Sequence, residues 1–194
     1  MDNKVNKQLN IDILRSFIKD DRIKIYYDNN SNIIIEGNVI IFPDEDYKNY
    51  TEFPVKVHKV IGNIHWYGGI TTLHNQIGTL ASLHNFPDIV EGDVIIFKNP
   101  MLQSLEDCPK HISGTLQADF CNIKSIDGIA EYIGNNCILN NNPITDISPL
   151  YNITVNGIIS IVNTPAAYNT EQINKLKDVS VLNINENSEI NYFI

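Results

Sequence analysis

A spaced apolar triplet recurs five times along this chain. In each copy, two residues separate successive apolar residues, so the copy reads apolar-x-x-apolar-x-x-apolar. The copies are Tyr47/Tyr50/Phe53, Leu80/Leu83/Phe86, Leu102/Leu105/Cys108, Ile123/Ile126/Ile129 and Ile144/Ile147/Leu150. Their first residues lie 33, 22, 21 and 21 positions apart, and self-similarity at a nearly constant short period is typical of stacked repeats. The chain is therefore predicted to fold as a solenoid.

A glycine before a short apolar run repeats with the same period. These glycines are Gly37, Gly62, Gly92, Gly114, Gly134 and Gly157. Asn99, Asn122 and Asn142 come shortly before three of the triplets, where an amide side chain can bond to the backbone of a turn. One repeat unit thus consists of a glycine, a strand, an asparagine-containing turn and a triplet. The predicted fold class is a β-rich solenoid of five to six turns, built from short parallel strands.

Both ends of the chain have the character of caps, which a stacked array needs to cover its terminal apolar faces. The N-terminal cap, residues 1–36, is predicted to contain a helix over 7–19 and a hairpin with strands at 22–27 and 33–35. The C-terminal cap, residues 158–194, is predicted to contain a helix over 170–177, with Asn169 or Thr170 as N-cap, and a strand over 179–184. The solenoid between them, residues 37–157, forms one continuous domain with the caps.

The repeat pattern resembles that of degenerate leucine-rich-repeat-like proteins of tailed bacteriophages. The resemblance covers residues 37–157 and is best over 80–150. In the family pattern a proline directly follows the triplet, as Pro54, Pro87 and Pro109 do here. The chain departs from the pattern where Tyr47 and Tyr50 replace leucine, where Ala130 and Tyr151 replace this proline, and where extra residues lie near 68–75. The resemblance implies a repeat fold and a phage origin, whereas repeat scaffolds as a class carry many unrelated activities.

The strand register predicts which side chains face outward. Because strand side chains alternate, positions two and four after each glycine should face the core, Trp66 among them, and positions three and five should face outward. The first outward row is Ile40, His65, Ile95 and Gln117, and the second is Phe42, Tyr67, Phe97 and Asp119. Exposed apolar patches mark interaction sites, so this face is predicted to bind a partner. Two alternatives are that a cap or the 68–75 insertion covers the face, or that it forms a homodimer.

Charge and composition restrict the function classes. A formal net charge of −9 argues against direct nucleic-acid binding, which requires clustered Lys and Arg, but it permits acidic mimicry of a nucleic acid. Cys108 replaces the phenylalanine of other triplets and is predicted to be a small buried hydrophobe. No metal-binding, nucleophile or phosphate-loop motif is present, so neither an enzyme nor a cofactor is predicted. With no long apolar stretch and no signal sequence, the protein is expected in the cytoplasm and not in a membrane.

These observations predict a non-enzymatic protein–protein recognition module. If the phage resemblance holds, the partner is a host bacterial protein, such as a defence factor that the phage protein inhibits in the host cytoplasm. Alternative functions are a self-assembling virion component, a protein that sequesters a small molecule at the 68–75 insertion, and the acidic mimic.

Two alanine substitutions distinguish scaffold from surface. Leu105→Ala is expected to lower the free energy of unfolding by about 2–5 kcal/mol, since Leu105 is predicted to lie in the core. Phe97→Ala is expected to cost little stability and to weaken partner binding. Denaturant unfolding of both variants measures the difference, and an equal loss in both would contradict the exposed-face prediction.

Overall fold

The chain winds as a parallel β-solenoid of about five turns, with one helix near each terminus. The computed structural model describes residues 3–42, 49–68, 77–179 and 184–185. Each turn of the solenoid, here called a coil, contributes one short strand to each of two sheets, and the apolar triplet lies on the return path between them. The predicted fold class, with its helical caps, is confirmed.

Within the described residues, fourteen short strands form the two sheets. The first sheet contains, in spatial order, β1 (Lys24–Tyr27), β2 (Ile33–Glu36), β4 (Lys59–Ile61), β6 (Ile89–Val90), β8 (His111–Ile112), β10 (Tyr132–Ile133) and β12 (Thr154–Val155). The second contains β3 (Val39–Ile41), β5 (Ile64–Tyr67), β7 (Val94–Phe97), β9 (Leu116–Asp119), β11 (Cys137–Ile138), β13 (Ile159–Ser160) and β14 (Ile184–Asn185). All neighbours are parallel except β1 and β2, which form the predicted antiparallel hairpin.

The triplets supply one side of a continuous core. Of their described members, all are buried except Tyr50, which is partly buried against the core, and Tyr47 lies outside the described residues. Cys108 and Trp66 are 3% and 1% exposed, which confirms their predicted inward positions. Burial of apolar surface is the dominant favourable contribution to folding. The triplets bury such surface in successive coils.

The corner between the two strands of a coil is held against the preceding coil. The Asn38 Oδ1 atom accepts a hydrogen bond from Asn63 N at 3.0 Å, and the Asn63 Oδ1 atom accepts one from Asp93 N at 2.7 Å. A Cβ atom added at Gly62, whose φ is +148°, would lie 2.5 Å from the carbonyl oxygen of Gly37. The glycines therefore let successive backbones approach closely.

Buried polar side chains bridge coils at the turn that follows the second strand. Asn99 donates to the carbonyls of Trp66 and Phe97, both at 3.0 Å, and accepts from Leu80 N at 3.0 Å. Asn142 repeats this two coils later, accepting from Ile123 N at 3.2 Å. In the coil between them, Cys121 occupies the same place, and its Sγ atom donates to the Asp119 carbonyl at 3.5 Å. The half-buried Asn122 side chain makes no such bond within the described residues, so its predicted role is wrong.

Helices close the two ends of the core. Helix α1 (Asn3–Ile18) buries Leu14 and Phe17, and the Phe17 ring lies 5.8 Å from that of Trp66. Helix α2 (Thr170–Val179) has Asn169 as its N-cap, whose Oδ1 atom accepts from Gln172 N at 3.2 Å. The Gln172 side chain accepts from Ile147 N at 2.8 Å and so attaches α2 to the last triplet.

The structure differs from the sequence predictions in three details. Of the strand predicted over 179–184, Val179 instead ends α2, Ile184 lies in β14, and residues 180–183 lie outside the described residues. The strands of the first sheet after β2 were not predicted, since they contain only two or three residues each. After Gly134 the register is displaced by one residue, because Asn135 and Asn136 both lie in the corner and Cys137 is the first inward residue.

Asn99→Ala should destabilise the protein by about 2–4 kcal/mol, because the Leu80 N–H and the Trp66 carbonyl would lose their buried partner. Asn122→Ala, in the neighbouring coil, is the matched control and should cost less than about 1 kcal/mol, since its side chain is half-buried and bridges nothing in the described structure. Chemical denaturation compares the two variants, and equal losses would show that the bridge contributes nothing specific.

Candidate functional site

The outward positions of the second sheet stack in register, as predicted. Ile40 pairs with His65, and His65 with Ile95. Tyr67 pairs with Phe97 on the next strand. The inward positions on the same strands are almost inaccessible to solvent. The alternation prediction is thus confirmed on these strands, while the binding role of the outward residues stays a prediction.

Six of these outward residues form a surface that we call the apolar face: Ile40, Phe42, His65, Tyr67, Ile95 and Phe97. Ile40 and Phe42 expose 40% and 45% of their surface, and the other four are half-buried. The rings of Phe42 and Tyr67 are stacked, with centroids 5.4 Å apart and an interplanar angle of 20°. The face therefore combines two exposed apolar residues with aromatic rings ordered by their neighbours.

His65 and Tyr67 give the apolar face a polar pair. The Tyr67 hydroxyl lies 3.1 Å from His65 Nδ1, within hydrogen-bond distance. Burial lowers the pKa of His65, although Asp93 opposes this, and burial raises the pKa of Tyr67. Both side chains are therefore neutral at pH 7. His65 Nε2 is buried and has no hydrogen-bond partner within the part of the chain that the structure describes.

Asp119 does not belong to the exposed surface. It lies in register with Phe97, as predicted, but it is only 7% exposed. Its carboxylate accepts from Gln117 Nε2 at 2.7 Å and from Asn140 N, in the next coil, at 2.9 Å. Burial raises its pKa to about 6, against which the two hydrogen bonds act. The outward register position is therefore as predicted, but the expectation that this carboxylate is exposed is wrong, because these neighbours enclose the side chain.

Two residues next to the apolar face were missed in the sequence. Ile138 continues the first outward row after Gln117, but the extra corner residue after Gly134 hides this register. Phe120 lies beyond the end of β9 with a φ of +53°, and its ring packs edge-on against Phe97 at 5.6 Å. Positive φ is uncommon for a bulky residue. The equivalent positions Lys98, Asn141 and Asn163 also have positive φ. Alignment of the repeats in the sequence would therefore place Phe120 in this turn.

The three cysteines are buried in the core. Burial raises the pKa of Cys108 and of Cys121 to about 12, so both thiols are protonated at neutral pH. Among the described residues, no three His, Cys, Asp or Glu side chains are grouped to hold a metal ion. None of the helices in the described ranges is long and apolar enough to cross a membrane. Residues 69–76, which include most of the 68–75 insertion, lie outside the described ranges.

Comparison with known proteins adds no functional assignment. No protein-family description, curated protein or solved structure matches this chain. The argument for function therefore depends on the geometry of the apolar face and on the chemistry of its residues.

Asp119 should make the free energy of unfolding depend on pH. Its folded-state pKa of about 6 lies above the ordinary 3.8, so the folded protein binds more protons between these values and stability falls as pH rises from about 4 to about 6. Asp119→Asn should remove this contribution. The free energy of unfolding of the variant minus that of wild type should therefore increase by up to about 3 kcal/mol between pH 4 and pH 7.

The measurement is urea unfolding of both proteins across this pH range. Asp127→Asn, at an exposed position in the triplet of the same coil, removes the same formal charge and is measured alongside as the control. A difference between Asp119→Asn and wild type that does not change with pH would contradict the assignment.

Proposed function

We propose that the protein is a non-enzymatic recognition module that binds another protein through the apolar face. The observation that carries this proposal is the exposure of Ile40 and Phe42 beside the stacked ring of Tyr67. Aromatic residues are the expected anchors of protein interfaces. Apolar side chains held in rows on adjacent strands present a contiguous surface, which favours a partner of similar apolar character.

The solenoid favours binding because it holds the face rigid. Its strands are fixed by cross-coil backbone hydrogen bonds at both ends, for example Val39 N to Asn63 O at 2.8 Å and Lys98 N to Asp119 O at 3.1 Å. The rings of Phe42, Tyr67 and Phe97 thus lose little conformational freedom when a partner binds. Pre-organisation of this kind lowers the entropic cost of association.

The second part of the proposal concerns the identity of the partner and the effect of binding on it. On the resemblance to phage repeat proteins, we propose that the partner is a host bacterial protein, such as a defence factor, and that binding in the host cytoplasm inhibits it. The net charge of −9 favours a partner whose surface around the apolar contact is basic, since complementary charge raises association rates.

Affinity capture with matched variants tests the proposal. Tagged wild type is expected to retain a stoichiometric protein from bacterial lysate, identified by mass spectrometry. The Phe42→Ala/Tyr67→Ala/Phe97→Ala variant should lose it, because truncation of interface anchors costs about 2 kcal/mol or more each.

The control variant truncates an aromatic pair on the other sheet. The rings of His111 and Tyr132 are stacked 4.5 Å apart on the first sheet, so His111→Ala/Tyr132→Ala removes two rings away from the apolar face. It should retain the partner. Thermal unfolding confirms that both variants are folded, and loss of the partner from the control, or retention by the triple variant, would contradict the proposed face.

A further inference from the structure

A polar cleft of about 270 Å³ lies beside the first sheet, away from the apolar face. Four separate chain segments line it: α1, the β1–β2 hairpin, the segment before β4 and the residue before β6. Its size is just below the roughly 300–1,000 Å³ typical of sites for drug-sized ligands. The cleft therefore suits a small ligand.

Asp88 organises one wall of the cleft. Its Oδ1 atom lies 2.7 Å from Lys56 Nζ, and its Oδ2 atom lies 2.9 Å from His58 Nδ1. Lys56 also donates to the carbonyl of Phe86 at 2.7 Å. Burial acts to raise the pKa of Asp88, but the hydrogen bonds from Lys56 and His58 lower it overall. Because Asp88 Oδ2 accepts from the Nδ1–H group of His58, the other ring nitrogen, Nε2, is left for a ligand.

The opposite wall supplies neutral donors and acceptors held in place by other side chains. Asn10 donates to the Tyr27 hydroxyl at 3.2 Å, and Lys7 donates to Ser31 Oγ at 2.6 Å. Each hydroxyl accepts one of these bonds, so its own proton is available to a ligand. Asn32 donates through both nitrogens to the Asp28 carboxylate, which leaves its side-chain oxygen as an acceptor.

We propose that this cleft binds a neutral polyhydroxylated ligand of monosaccharide size, with the Asp88–His58 pair accepting from its hydroxyls and Tyr27 and Ser31 donating to it. The charge balance decides between ligand classes. Lys56 and Asp88 neutralise one another, so an anion such as phosphate would have to displace Asp88 from its cation or lie beside a carboxylate. Hydroxyl groups both donate and accept, which matches the mixture of groups on the two walls.

The chain contains a second His–Asp pair that serves as a matched control. His84 Nδ1 lies 3.6 Å from Asp107 Oδ2, and both side chains are more exposed than those of His58 and Asp88. The longer distance and greater exposure make it a surface contact of little energy. It shares the residue types of the cleft pair but does not line the cleft.

The test is an NMR titration that follows the ring nitrogens of His58 in the isotopically labelled protein. The neutral probes are glucose, galactose, mannose, N-acetylglucosamine and their methyl glycosides, and the anionic probes are inorganic phosphate and succinate. At least one neutral probe should give a saturable shift at His58, whereas the anions should give none. Binding of a methyl glycoside as well as the free sugar would indicate a glycan end as the ligand, and binding of the free sugar alone would indicate a free monosaccharide.

Asp88→Asn should weaken this binding about tenfold or more, as expected for loss of a charged hydrogen-bond acceptor. His84→Gln/Asp107→Asn should leave it unchanged. Thermal unfolding shows whether Asp88→Asn is folded. If it is not, Tyr27→Phe is the second variant: it removes one donor from the opposite wall and should also weaken binding. The proposal is overturned by absence of saturable binding for every neutral probe, by saturable binding of phosphate or succinate at His58, or by undiminished sugar binding in a folded cleft variant.

Discussion

Backbone contact between successive coils at the glycine corner is the constraint on which the rest of the solenoid depends. A Cβ atom at Gly92 would lie 2.6 Å from the Gly62 carbonyl oxygen, and one at Gly114 would lie 2.8 Å from the Gly92 carbonyl carbon. These distances are too short for any side chain, so the corner fixes how closely the coils stack. Strand pairing in both sheets, the asparagine bridges and the position of every triplet follow from that spacing.

The sequence predicts this arrangement well where one residue type has one physical role. The triplets and corner glycines have such roles, and together they define the core and the outward rows of the second sheet. The first sheet is harder to predict because its later strands are two or three residues long, too short for alternation to be seen.

Other features depend on contacts between residues distant in sequence. Asp119 follows the outward pattern but is enclosed by Asn140, 21 positions later, and no local pattern shows that a carboxylate is covered. Asp88 and His58 lie 30 positions apart, on neighbouring coils joined by an insertion. Their contact, and the cleft that they line, depend on coil alignment through this insertion, which the irregular first period of 33 residues obscures.

The asparagine bridges also imply something about how such a chain can change over evolutionary time. Asn99 and Asn142 each tie a coil only to the one before it, and the corner side chains do the same. Because the couplings run between nearest neighbours, one whole coil could be duplicated or deleted without disturbing contacts elsewhere. The length of the molecule could therefore change in steps of one coil while the caps and the coils that carry the apolar face keep their contacts.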